Sequence, residues 1–171
     1  KRQNLTLRWI HFPLHPDTPD SGLTLEELFL KDSTEIEIMK QRMSSLMAEE
    51  GLPYGNRTHT YNSRLAQELA KYAESSEEGE VLNRKLFEAY FVEGLNLADP
   101  EVLLYLAESS GLPREETEET ISKRLFRNEV DADWKRAREL GVSGVPTFVY
   151  GNRALVGAQP YETMKQLVQI K

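Results

Sequence analysis

The segment from residue 145 to 156, VPTFVYGNRALV, constrains the fold of this chain most strongly. Its first half is rich in β-branched and aromatic residues, and Gly151-Asn152 is a typical two-residue hairpin turn. The sequence therefore predicts a β-hairpin that begins at a proline. Gly157 to Pro160 then lead into a final amphipathic helix, whose apolar face carries Met164, Leu167 and Val168.

Residues 24 to 140 are predicted to be mostly helical, with about seven helices in all before the hairpin. Thr24 with Glu27 forms a capping box at the first helix, and Asp32 with Glu35 forms a similar one at the second. Asp99 before Pro100 marks a later helix start. The second helix carries apolar residues at steps of three and four, which predicts a stripe packed in the core: Ile36, Met39, Met43, Leu46 and Met47. Met39, Met43 and Met47 could instead line an adaptable substrate groove, but a core position is the favoured interpretation.

The N-terminal residues 5 to 12, LTLRWIHF, alternate in polarity and predict a strand. Prolines recur every third residue after it, which predicts an extended loop. The fold class is therefore α/β. We expect a single domain over residues 1–171, built from the strand 5–12, the helical insertion 24–140, and the hairpin with its helix over 145–171.

Composition excludes several classes of function. The chain has 21 Lys and Arg against 28 Asp and Glu, a net charge of −7, so we expect no nucleic-acid partner. No apolar run approaches the roughly 20 residues that cross a bilayer, so no membrane partner is expected. Zero cysteines exclude a disulfide, a zinc thiolate site and a cysteine nucleophile within these residues.

Histidine chemistry is also weakly supported. The chain has three histidines, and none lies in a helical pair with a carboxylate base, so zincin-type hydrolysis is not expected. His15 with Asp17 and Asp20 could bind a cation, but these are better explained as surface loop residues. We therefore predict no metal site and no cofactor.

Four segments together resemble a known family over nearly the whole chain: RWIHFPLHPDTPDSG, NSRLAQELAKYA, LFEAYFVEGLNLADPEVLLYLAESSGL and GVSGVPTFVYGNRALVGAQPYE. The last is the most specific. With these segments the chain resembles the DsbA-like thioredoxin-fold proteins, and within them the bacterial FrnE-like branch. The resemblance implies a thioredoxin-like fold in which the helices form an inserted lid.

The resemblance also implies a function and its site. It implies a thiol–disulfide oxidoreductase that acts on protein or peptide thiols and disulfides, with glutathione as another candidate partner. The peptide bond before Pro146 is expected to be cis, with the backbone of Val145 turned outward so that an extended peptide adds to it like a strand. The substrate-binding residues that follow are Gly144, Val145, Pro146 and, less strongly, Gln159.

The chain departs from the family in one respect that bears on catalysis. The Cys-x-x-Cys pair of the family is absent, so no catalytic residue is predicted within this sequence. The family's first strand and first helix are also missing from these residues. The resemblance places that strand between residues 5–12 and the hairpin, and we expect a longer protein or another chain to supply it. A cytoplasmic location is expected.

Two alternatives stay open. The 2-hydroxychromene-2-carboxylate isomerases and the kappa-class glutathione transferases share this arrangement and use a serine that activates glutathione. A redox-inactive module that binds extended peptides would also fit a chain without cysteine. A homodimer is compatible with either function.

Overall fold

The computed structural model describes residues 5–169. These residues belong to two compact units: Lys1–Leu14 joined with Asp131–Lys171, and His15–Val130. We call the first the hairpin unit and the second the helical unit. The helical unit corresponds to the predicted insertion, with bounds at 15 and 130 instead of 24 and 140.

The helical unit consists of short helices with one small sheet. Its strands, two residues each, pair antiparallel with Leu23 opposite Thr60. They are too short to give a sequence pattern, and the sequence analysis missed them. The elements are β1 (Leu23–Thr24), α1 (Leu25–Phe29), α2 (Ser33–Glu49), β2 (His59–Thr60), α3 (Arg64–Ala73), α4 (Glu78–Glu88), a π-helical turn (Ala89–Glu93), α5 (Pro100–Ser109) and α6 (Arg114–Lys123), and α7 (Arg127–Glu139) begins there.

Capping side chains start these helices where the sequence predicted. The N–H of Glu27 donates to Thr24 Oγ1 at 3.1 Å, and the N–H of Thr24 donates to Glu27 Oε2 at 2.8 Å, so the capping box is complete. Asp32 accepts from the N–H of Glu35 at 2.9 Å. Asp99 accepts from the N–H two residues later at 2.9 Å. These three predicted helix starts are confirmed.

The core of the helical unit lies among α3, α4, α5 and α6. Leu69, Leu82 and Leu103 are completely buried there, each 0% exposed. Ala70, Ala73 and Ala107 belong to the same cluster. Their small side chains occupy positions where larger ones would keep neighbouring helices apart, which favours close helix packing.

One carboxylate is buried at the edge of this core. Glu68 is 2% exposed and accepts from Arg64 Nε at 2.7 Å. It also accepts from Arg124 Nε at 2.6 Å and from Arg124 Nη2 at 2.8 Å. Arg124 ends α6 in the left-handed conformation, at φ +54°. The carboxylate therefore ties α3 to the C-terminal end of α6.

The hairpin unit contains the predicted hairpin and its helix: β3 (Thr147–Tyr150), β4 (Arg153–Val156) and α8 (Tyr161–Val168). The strands are antiparallel, with Tyr150 opposite Arg153 and Thr147 opposite Val156. Gly151 has φ +61°, which a type II′ turn requires at its first position. The hairpin and its turn are confirmed.

The predicted strand over residues 5–12 is wrong. This segment has no regular structure, and Leu5, Leu7 and Trp9 are each more than half exposed. The backbone N–H of His11 donates to Asp133 Oδ2 at 3.3 Å. An alternating sequence becomes a strand only when a neighbouring strand accepts its hydrogen bonds. Among residues 5–169, no strand lies beside it.

The predicted core position of the α2 stripe is also wrong. Ile36 is buried. It lies near the N-terminal end of α2, the helix that packs against α1. From Glu37 to Glu49 no residue is buried, and Met39, Met43 and Leu46 are exposed. Helical periodicity identifies the face that is apolar, but the neighbouring elements decide whether anything covers it.

Replacing Glu68 by glutamine should destabilise the helical unit in a pH-dependent way. Burial raises the pKa of Glu68, but the hydrogen bonds from Arg124 and Arg64 outweigh it, so the pKa is lowered overall. The ion pairs therefore stabilise the fold above the unfolded-state pKa near ~4.3, and this contribution is lost as the pH falls through the lower folded-state pKa. We expect Glu68→Gln to cost about 3 kcal/mol at neutral pH, and less in acid.

Urea unfolding between neutral pH and pH ~3 would measure this difference. Glu119→Gln is the matched control, because Glu119 pairs with Lys123 at 2.7 Å on the exposed surface and should matter little. A gap between wild type and Glu68→Gln that stays constant across this pH range would contradict the prediction.

Candidate substrate-binding edge

The residues predicted to bind substrate meet at one end of the hairpin. The peptide bond between Val145 and Pro146 is cis, the isomer that the resemblance implies. The carbonyl of Pro146 accepts from the N–H of Gly157 at 2.7 Å, which extends the pairing of β3 and β4 by one residue pair. Gln159 Nε2 donates to the carbonyl of Val156 at 2.8 Å. The structure thus brings Gly144, Val145 and Pro146 together, whereas the Gln159 amide lies at the outer edge of β4, because the Val156 carbonyl that it binds points away from β3.

Thr147 holds the turn at these residues, and the sequence analysis missed it. Its Oγ1 donates to the carbonyl of Gly144 at 2.6 Å and so closes the turn that contains Val145 and Pro146. A hydroxyl that bonds a carbonyl three residues earlier is a recurrent turn motif. The sequence V-P-T contains the signal, but a threonine in a strand is too common for the sequence alone to assign it this role.

One edge of β3 is open. In a hairpin with a two-residue turn, Tyr150 and Arg153 exchange hydrogen bonds, so Val149 and Ala154 form the next, non-bonded pair. The N–H and C=O groups of Thr147 and Val149 consequently point away from β4. Within residues 5–169, β4 is the strand paired with β3. This edge can therefore accept an added strand.

Val145 continues this edge at its N-terminal end. This residue is 48% exposed. No hydrogen bond among the described residues involves its backbone N–H or C=O. These two groups can pair with an extended peptide, as in strand addition. The four residues predicted to bind substrate, Gly144, Val145, Pro146 and Gln159, carry no nucleophilic side chain.

Neither a metal centre nor a membrane span is found in the part of the chain that the structure describes. No group of three or more His, Asp or Glu side chains there could hold a metal ion, and His15, Asp17 and Asp20 do not form one. No helix there is both long and apolar enough to cross a bilayer.

A family model described as DSBA-like thioredoxin domain matches residues 1–169. Among curated proteins, the chain is 28% identical over 111 residues to an uncharacterised protein of Bacillus subtilis, YwbO. That match covers 64% of this chain and 55% of the relative, so the chain spans about half the length of this curated relative.

Solved structures agree with the family model. The crystal structure of a probable DsbA oxidoreductase from Streptomyces coelicolor has a TM-score of 0.82 at 26% identity, covering 90% of this chain and 69% of that one. A putative protein disulfide isomerase from Nitrosomonas europaea has a TM-score of 0.66 at 18% identity, covering 86% and 74%. The cytosolic disulfide reductase DsbM from Pseudomonas aeruginosa, solved with GSH, has a TM-score of 0.54 at 24% identity, covering 75% and 66%. The predicted α/β fold class with thioredoxin-like architecture is confirmed.

Removing the hydroxyl of Thr147 should loosen the turn before β3. Thr147→Val keeps the shape of the side chain and loses the bond to the carbonyl of Gly144. We expect the Gly157 amide, which donates to Pro146, to exchange with solvent roughly fivefold faster, the equivalent of about 1 kcal/mol for one hydrogen bond. Ser143→Ala removes an exposed hydroxyl from the same turn and should leave that rate unchanged. Equal exchange rates in both variants, measured by NMR, would contradict the role of Thr147.

Proposed function

The chain belongs to the DSBA-like thioredoxin family, and from that premise we propose that it serves in thiol–disulfide exchange on protein or peptide substrates. The observation that carries the proposal is the exposed Val145 with its unpaired backbone at the start of β3. A substrate segment bound there lies in extended form, with its backbone fixed by hydrogen bonds to one residue. Recognition through the backbone would accept many substrate sequences.

The exchange itself needs thiols that this sequence does not contain. An attacking thiolate forms a bond to one sulfur of the substrate disulfide, and the other sulfur leaves as a thiolate. A second thiolate then attacks the mixed disulfide, so the substrate leaves reduced and the attacking pair is left oxidised. Because the chain has no cysteine, the proposal requires that both thiols come from residues outside this sequence.

The open edge of β3 supports a place for such residues. Thr147 and Val149 offer backbone groups to a strand on that side, and the side chain of Val149 is 47% exposed. Leu5, Leu7 and Trp9 lie in a segment of the same unit that has no regular structure, and they expose apolar surface as well. We propose that a strand from outside these residues, in the same polypeptide or another, pairs with β3 and brings the thiols near Val145.

A second candidate function is peptide binding without redox chemistry. The absence of cysteine favours it, since the same backbone groups would hold an extended peptide without exchange. Glutathione as a partner, the FrnE-like branch, the cytoplasmic location and the isomerase and transferase alternatives stay predictions.

The first test is the intact mass of the natural gene product together with its titratable thiols after reduction. We expect a mass above the 19.6 kDa of these residues and two reactive thiols. A product of 19.6 kDa without any thiol would exclude disulfide exchange by this protein alone and leave the peptide-binding candidate.

The second test locates the substrate on the protein. Addition of a disulfide-containing peptide should slow hydrogen exchange of the Val145 amide at least roughly tenfold, because a new backbone hydrogen bond protects it. Ala154 is the internal control, since its amide faces the opposite edge of the same hairpin. Protection of both amides, or of neither, would contradict docking at Val145.

A further inference from the structure

The C-terminal part of α2 presents an apolar stripe that the helical unit does not cover. Met39, Met43 and Leu46 are 39%, 45% and 48% exposed, and Leu52, just after the helix, is 53% exposed. With 3.6 residues per turn, the three helical residues share one face. Methionine side chains adapt their shape to a partner at little cost. We propose that this stripe is the contact surface between two copies of the chain.

Charges beside the stripe indicate that the molecule in contact with it is a second copy of the chain. Arg42 and Glu49 are seven residues apart and lie on the same flank of α2. Neither forms an ion pair among the residues that the structure describes. About 10 Å of helix axis separates them, which is too far for a pair within one helix. Two antiparallel copies of α2 bring each Arg42 beside the Glu49 of the other copy.

The position of the two-fold axis follows from the same residues. Arg42 and Glu49 pair twice when the axis passes between Ser45 and Leu46. That point lies beside Leu46, and Met43 is within one helical turn of it, so exposed apolar residues of the stripe lie at the axis. An isologous contact of this kind closes after two copies.

The competing register is disfavoured. Pairing Arg42 with Glu35 would move the axis toward the N-terminal end of α2. There Glu35 is already bound to Lys31 at 2.6 Å, and Ile36 is buried beside α1. The second register would therefore break an existing ion pair and lose the exposed apolar surface at the C-terminal end.

The contact is small, so a weak and reversible dimer is expected. Two and a half turns of helix offer a few hundred Å² per copy, below the ~800 Å² that each partner buries in a standard interface. Dissociation should therefore be visible at roughly micromolar concentrations.

Sedimentation velocity of the purified natural protein over a wide concentration range tests the proposal. We expect a dimer in wild type, and Met43→Lys should raise the dissociation constant at least roughly tenfold, since it places a charge in the contact. The matched control is Ala48→Lys, because Ala48 is exposed on the same helix but lies at least roughly 140° from Met39, Met43 and Leu46 around its axis. Circular dichroism would verify that both variants remain folded.

Charge reversal tests the register. Arg42→Glu and Glu49→Arg should each weaken the dimer, because like charges then face each other across the axis. The double variant should restore it. Three results would overturn the proposal: a monomer at every concentration, a dimer indifferent to Met43→Lys, or failure of the double variant to recover. A monomer with Met43 protected from oxidation would show that another segment or another protein covers the stripe.

Discussion

The helical unit depends on the buried carboxylate of Glu68. Burying a charge is costly unless partners compensate it, and here two arginines do so with three hydrogen bonds. One of them, Arg124, lies at the left-handed end of α6, so the ion pair also fixes how that helix terminates. The arrangement holds α6 against α3, the helix that contributes Ala66, Leu69, Ala70 and Ala73 to the core.

In the hairpin unit, the important feature is that backbone N–H and C=O groups of β3 are not bonded to β4. Its type II′ turn and antiparallel register direct the amides of Thr147 and Val149 away from β4. Thr147 bonds back to Gly144 and so holds Val145 at the end of the same edge. A site made of backbone groups needs little from side-chain identity, which is consistent with a chain whose site residues lack ionisable groups.

Both units expose groups of apolar residues, and the two groups differ in their geometry. In the hairpin unit they accompany an open strand edge, so an added strand is the fitting partner. In the helical unit they form a helical stripe flanked by complementary charges, so a second helix fits better. The hairpin unit exposes a row of backbone groups, and the helical unit exposes a helix face. This difference in geometry distinguishes the two kinds of partner.

The sequence by itself determined the local elements: the hairpin, the capped helix starts at Thr24, Asp32 and Asp99, and the resemblance that led to the family. These follow from short-range rules of turn chemistry, capping and periodicity. Tertiary structure alone decided that residues 5–12 form no strand, that Met39 and Met43 are exposed, and that Glu68 pairs with Arg124. Pairing, burial and ion-pair formation depend on residues distant in sequence, and a local pattern does not specify them.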